Sequence, residues 1–228
     1  MTMKKTATQA LSAALPVMAG YVAIGIPCGI LESQIGMDAL MAFVMSATFY
    51  SGAGQFMECN MWLAGMPMSS IIASVSFVNT RQMLYSAAFS PYFTNVRKRL
   101  TFLFSATVTD ESFGVNLSHF VSDETWTATH ATLVNLFCMT SWAVSAAVGA
   151  LVGSAVAIPT AIAAFAMTSI FICLLVSQPL NHITAVVMVV AAAGVIVCKL
   201  MGLTAPAILI GACAGVVAGM VAREVRVG

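Results

Sequence analysis

His182-Ile183-Thr184-Ala185-Val186-Val187-Met188-Val189-Val190-Ala191-Ala192-Ala193-Gly194-Val195-Ile196-Val197-Cys198-Lys199-Leu200-Met201 is the stretch that decides the fold class. No charged side chain falls between His182 and Lys199. At about 1.5 Å per residue, a helix of about 20 residues crosses the roughly 30 Å of hydrocarbon in a bilayer. Lipid offers no partner to backbone N–H and C=O groups, so such a run is stable there only when its hydrogen bonds close within the segment. Working outward, comparable apolar blocks run at 11–31, 39–63, 68–90, 101–120, 130–153, 159–177 and 204–222. Their continuity does not fit the alternating ten-residue pattern of an outer-membrane barrel.

Composition points the same way. The 228 residues include nine Lys or Arg and eight Asp or Glu, so 7% are charged, against about a quarter in a soluble domain. Hydrophobic residues make up 60% of the chain and the mean hydropathy is +0.97. The expectation is an all-α, polytopic membrane bundle with about seven or eight hydrophobic segments, residues 1–228 forming a single integral membrane domain. Lys4-Lys5 ahead of an apolar run imitates a signal peptide, but with so many further runs it reads as the start of an uncleaved first helix.

Several classes are excluded. A net charge of +1 without a basic tract leaves no footprint for nucleic acid. Cys28, Cys59, Cys138, Cys173, Cys198 and Cys213 lie inside apolar blocks with no CxxC pair, and read as small buried hydrophobes. Met41/Met45 and Met57/Met61 are packing filler at helical spacing rather than a copper site. No cofactor or metal is expected. Ser51 beside glycines loosely fits an intramembrane serine protease, yet His119, His130 and His182 stand too near block ends to serve it. The chain is not expected to be an enzyme.

Two basic clusters, Lys4-Lys5 and Arg97-Lys98-Arg99, both belong on the cytoplasmic side by the positive-inside rule. Three full crossings between them would place them on opposite faces. One early block is therefore expected to be re-entrant or made of two half-helices, or one cluster breaks the rule. Breaks are expected near 50–56 and 78–82.

The polar residues inside the blocks carry the chemistry. In Phe49-Tyr50-Ser51-Gly52-Ala53-Gly54-Gln55-Phe56, continuing to Glu58, Gly52 and Gly54 each lower helix propensity by about 1 kcal/mol relative to Ala. A break there presents backbone dipoles to a substrate; close packing through glycine is the plainer alternative. In Asn79-Thr80-Arg81-Gln82-Met83-Leu84-Tyr85-Ser86, Arg81 lies deep in its block, where insertion costs at least about 2.5–3.5 kcal/mol. It either holds a substrate carboxylate bidentately or is locked in an ion pair. In Thr109-Asp110-Glu111-Ser112-Phe113, two adjacent carboxylates at depth cannot both be comfortably ionised, which makes them candidates for proton coupling. One of them is the expected counter-charge for Arg81.

Other features are plainer. Ser145/Gly149/Gly153 and Gly211/Gly215/Gly219 are small-xxx-small runs for close helix packing, or for docking a second membrane subunit. Trp62, Trp126, Trp142 and Tyr92 read as interfacial aromatics, and His119 and His130 as flanks of the acidic loop. Asn135 is a candidate for gluing helices together. Ser177 to His182, with Pro179, reads as a simple turn.

The same three polar stretches carry a resemblance. Phe49 to Phe56 resembles an FSGxxQF-type stretch, with Tyr50 inside an otherwise matching run. Asn79-Thr80-Arg81 with Leu84-Tyr85-Ser86 resembles N-x-R-x-x-L-Y-S, and Thr109 to Phe113 is similar to T-D-E-x-F. In this order, spacing and chain length they resemble the AzlC-type branched-chain amino acid permeases, the large subunits of two-component exporters. The motifs concentrate in 45–115, and the second half matches by hydropathy. The resemblance implies export of hydrophobic amino acids such as leucine, isoleucine, valine and methionine across the bacterial cytoplasmic (inner) membrane. It also implies a short AzlD-type membrane partner of about a hundred residues, room for about four spans.

On that reading, Ser51, Gly52, Gly54, Gln55, Asn79, Arg81 and Tyr85 line the substrate pathway. Asp110, Glu111 and Glu58 serve proton coupling or ion pairing. A passive channel for small solutes, or a structural subunit of a membrane complex, would use the same polar groups differently. The structural reading is favoured if Arg81, Asp110 and Glu111 all face one another with no cavity.

Overall fold

The computed structural model describes residues 3–156, 181–202 and 207–227, with 165, 168, 169, 172 and 176 between them. The expected block at 159–177 and the turn through Pro179 lie almost wholly outside the described residues. By its contacts the chain divides into two compact units, residues 1–170 and 171–228.

Unit one is built on two long helices, α1 (Met3–Gln34) and α7 (Ala128–Ala155), which pack against each other along their length. Both are long and apolar enough to cross a membrane. α1 runs unbroken through Pro16 and Pro27, which membrane helices tolerate where neighbours re-satisfy the freed groups. The seam is made of small residues. A Cβ added to Gly29 would overlap the Ala146 carbonyl, and one on Gly149 would overlap the Ile26 carbonyl. The Ser145/Gly149/Gly153 run is thus spent on α1 inside the protein, and is not a free docking face.

Two of the apolar blocks are not single helices. Block 39–63 divides into α2 (Ala39–Thr48) and α3 (Gly52–Leu63). Block 101–120 divides into α5 (Lys98–Thr107) and α6 (Asp110–Ser122). Each piece is about 15–20 Å long, half a membrane. Between the two broken pairs stands α4 (Met68–Ala88), followed by a short 3-10 turn at Ser90–Phe93. α4 is continuous through 78–82, so the break expected there is absent. The reason is local: Met68–Ala88 contains neither Gly nor Pro, and its polar side chains reach outward to neighbouring helices. The second true break falls at Val108–Thr109, where none was expected.

Two apolar clusters hold unit one. One joins Tyr21, Cys28, Leu31, Phe56, Cys59, Val134, Cys138 and Trp142; the other joins Phe89, Phe93, Phe104 and Val108. Trp142, expected at an interface, is 2% exposed in the middle of α7, and Trp126 is buried as well. Many large apolar side chains, among them Leu40, Met83, Phe102 and Val121, point outward, as lipid-facing surfaces do.

Unit two is a helix pair, α8 (His182–Leu200) and α9 (Ala207–Val227), joined through Gly202 in the left-handed region at φ 78°. α8 is long and apolar enough to cross a membrane, and Cys198 is its one buried residue among those described. Gly211 and Gly215 seat against Ala191, Val195 and Val187 of α8, so this small-residue run too is used in internal packing. Cys28, Cys59, Cys138 and Cys198 are buried free thiols, but Cys213 is exposed, contrary to expectation.

Candidate functional site

Each helix break is capped by its own sequence. Ser51 adopts an extended conformation and its hydroxyl accepts from the Gly54 amide at 3.2 Å, starting α3. Thr109 starts α6 with a reciprocal capping box to Ser112. Glycine has a packing role at the first break: a Cβ on Gly52 would come within 2.9 Å of the Trp142 ring.

The carbonyls freed by the breaks find partners from flanking helices, as membrane depth demands. Gln82 of α4 donates to the Tyr50 carbonyl at 3.2 Å, and Ser86 of α4 to the Ser105 carbonyl at 3.2 Å. Asn135 of α7 donates to the Phe104 carbonyl at 3.3 Å, and its own carbonyl accepts from Asn116 at 3.0 Å. Asn135 therefore does join helices, with the end of α5 as its target.

α4 serves both breaks from one helix. Asn79 accepts from the Ser51 hydroxyl at 2.6 Å. Two residues on, Arg81 pairs with Asp110 at 2.6 Å, both side chains about one-third exposed, at 36% and 31%. Tyr85 stands within electrostatic reach of both and packs against Phe113, the ring centroids 4.8 Å apart and the planes tilted by 34°. Asp110 is the first residue of α6, where the helix dipole favours an anion. The pair leaves Arg81 Nε and Asp110 Oδ1 buried without a hydrogen-bond partner.

Glu111 takes a different partner. Tyr21 of α1 donates to Glu111 Oε2 at 2.7 Å and contacts the Thr109 hydroxyl at 2.8 Å. Tyr21 has one proton, so with that proton on Glu111 the Thr109 hydroxyl is the donor in the second bond. The Tyr21 ring also meets Tyr50 edge-on at 6.2 Å and Trp142 at 5.4 Å. Tyr21 thus stands between the two breaks. Arg81, Asp110 and Glu111 do not all face one another.

Gln55 is fully buried with both ends engaged: it donates to Ser46 at 2.8 Å and accepts from the Trp142 indole at 2.6 Å. Gly54 is buried beneath Ser51 and Phe49. Of the residues singled out from the sequence, Ser51, Asn79, Arg81, Tyr85, Asp110 and Glu111 gather around the breaks. Gly52, Gly54 and Gln55 fasten the first break to α2 and α7. Glu58 stands apart, half-buried on α3, with Glu32 and Cys59 as neighbours.

Sequence reasoning overlooked Tyr21, Ser46, Asn116 and the role of Trp142. Thr109-Asp110-Glu111-Ser112 does carry an N-terminal capping signal, a Thr followed by two acids and a Ser, which marks the second break. Nothing in a single sequence marks Tyr21 as its neighbour, 88 residues away.

At the α6–α7 corner, His119 stacks on Trp126 at 4.0 Å and Trp126 on His130 at 4.9 Å. His130 is buried and bonded to Thr127. In the exposed loop, hydrogen bonds from the Thr125 hydroxyl and amide hold the Asp123 carboxyl below the usual carboxylate range.

The family described as AzlC protein matches residues 16–156, well over half of the chain and the whole of the region holding both breaks. Among curated proteins, the branched-chain amino acid transport protein AzlC of Bacillus subtilis (strain 168) is 29% identical over 168 residues, 72% of this chain and 64% of its own length. An uncharacterized membrane protein of Helicobacter pylori (strain J99) is 30% identical over 174 residues, 72% of each chain. The inner membrane protein YgaZ of Escherichia coli (strain K12) is 25% identical over 142 residues, 61% of this chain and 58% of its own length. The chain thus spans just under two-thirds of the Bacillus protein. No solved structure matches it.

Proposed function

The chain belongs to the AzlC family, multi-pass transport proteins of the bacterial inner membrane and not enzymes, and on that premise we propose that it exports branched-chain and similar hydrophobic amino acids. The substrates are leucine, isoleucine, valine and methionine-like side chains; the Bacillus relative's description as a branched-chain amino acid transport protein supports this class. Transport is secondary active, by exchange against protons, with a short AzlD-type membrane subunit as obligate partner. Residues 1–228 act as one transporter domain, threading the membrane about seven or eight times with each broken pair counted as one crossing.

One observation carries the reading: two half-helix breaks meet around Tyr21, with the partly exposed Arg81–Asp110 pair beside them. Discontinuous helices that present polar ends at mid-membrane are a recurring transporter device. Arg81 receives the substrate α-carboxylate, its unused Nε completing a two-point contact as Asp110 is displaced. The released Asp110 takes the substrate ammonium. Glu111, held by Tyr21, carries the coupling proton. Ser51, Asn79 and Tyr85 line the path, while Gly52, Gly54 and Gln55 keep the first break in place.

The test is leucine efflux from preloaded proteoliposomes containing both subunits, with and without a pH gradient. Proton exchange predicts faster efflux with the gradient; efflux indifferent to it and unsaturable with leucine identifies a passive pathway instead. Folded Arg81→Ala protein that binds and exports leucine normally would remove Arg81 from the substrate site.

A further inference from the structure

Glu32 was unremarked in the sequence, yet it is the most deeply placed acid among the described residues, with zero exposure. It sits in the last turn of α1, where its own carbonyl accepts from the Ile35 and Met37 amides as the helix ends. The negative end of the helix dipole lies there, which disfavours a carboxylate. Of its two carboxyl oxygens, Oε1 receives a weak bond from the Cys28 thiol at 3.7 Å, and Oε2 has no partner. Among the described residues, no Lys, Arg or His stands within ion-pair distance of it. An unpaired charge buried in this way is strongly disfavoured, and a buried acid avoids that by keeping its proton.

Its surroundings are those of a proton site. Cys28 on its own helix and Glu58 and Cys59 on α3 are the titratable groups that face it. The α7 segment packed on this end of α1, residues 146–155, offers no titratable side chain. Glu58, half-buried on α3, is the neighbouring acid and is more open than Glu32.

We propose that Glu32 is a second proton-binding site of the transporter, holding a carboxylic-acid proton in this conformation and exchanging it through Glu58. In the exchange, a water between the two acids takes the proton as the Glu32 O–H bond breaks and gives one of its own to the Glu58 carboxylate, where an O–H bond forms; Glu58 then passes that proton to outside water, and Glu32 is reprotonated by the reverse route. The site is separate from Glu111, which Tyr21 holds at the start of α6. Its part in the transport cycle rests on the proton-exchange reading above; its protonation does not.

Two measurements on the full chain with its small partner subunit, in lipid vesicles near neutral pH, test it. Infrared spectra of the wild type should contain a protonated-carboxyl C=O band that is missing from Glu32→Gln and is perturbed when leucine is added. Glu32→Gln, which replaces a neutral acid in shape and charge, should fold and still exchange leucine for leucine. It should lose leucine-driven proton movement at least tenfold, while Glu58→Gln keeps the band but slows proton movement. A spectrum unchanged in Glu32→Gln, or a Glu32→Gln protein that cannot fold, overturns the neutral acid. Wild-type proton movement in folded Glu32→Gln overturns the transport role. Failure of the proton-exchange reading looks different: the wild type itself then moves no protons with leucine, the cycle role falls with it, and the infrared band alone decides whether Glu32 binds a proton.

Discussion

Arg81 was legible as the residue that had to find a partner, because a guanidinium at depth cannot stay unpaired. Which of the two neighbouring acids would meet it was not legible. Asp110 and Glu111 differ by one position at the start of α6, so their side chains diverge, one toward α4 and the other toward Tyr21 of α1. Two predictions belong here. Arg81→Lys keeps the charge but loses the fork that could grip a carboxylate at two points; leucine efflux should fall at least about tenfold with little change in melting temperature. Tyr21→Phe removes the hydroxyl shared by Thr109 and Glu111, and should cost about 1 kcal/mol in thermal or denaturant unfolding. A Tyr21→Phe protein as active and as stable as the wild type would leave the junction between the breaks without a role.

At the scale of elements, the first break was readable from Gly52, Gly54 and the capping Ser51. The second is less legible, because two adjacent acids in Thr109 to Ser112 suit a proton-coupling site at depth as well as a helix start. The polar run at 79–82 misled in the opposite direction. Its side chains are polar because neighbouring helices are broken, with Asn79 and Gln82 serving one break and Arg81 the other. Gln55→Leu should be more damaging than Tyr21→Phe, since it strands the buried Trp142 indole and Ser46 hydroxyl; about 1–3 kcal/mol is expected, read from unfolding in detergent. The α1–α7 seam offers a sharper contrast. Gly29→Leu should abolish the folded protein because the Ala146 backbone stands in the way, whereas Gly20→Leu, with nothing within 4 Å, should be tolerated. Fluorescence size-exclusion of the two expressed variants separates these outcomes.

For the whole molecule, the apolar exterior and the scarcity of charge leave the membrane as the only medium that suits it. Both breaks and every polar group of the candidate site fall within residues 16–156, the portion shared with the AzlC family. The α8–α9 unit lies outside that match. The proposed heteromeric exporter predicts that cells or vesicles with this chain alone export leucine at background rates, and that adding the AzlD-type subunit restores saturable efflux. Efflux by the single chain at the full rate would refute the obligate partner. With three crossings between the two basic clusters only one of them faces the cytoplasm, and the positive-inside rule favours the larger, Arg97-Lys98-Arg99, which a reporter fused after Arg99 reads directly.

The sequence by itself determined the solvent and the all-helical class. Apolar runs of membrane length with so few charges admit only helices in lipid, because backbone groups there must bond within their own segment. It also determined which stretches carry the polar chemistry, since polar residues at depth are costly enough to be rare. Only the tertiary structure decided how those stretches meet: that α4 serves both broken neighbours, that Asp110 rather than Glu111 holds Arg81, and that Gln55 is spent on Trp142. It also brought Glu32, in the last turn of the first helix and ordinary in sequence, to full burial. These are pairings between side chains far apart along the chain. Helical periodicity and hydropathy act over one or two turns, so nothing local encodes them; close packing of helices selects the partner.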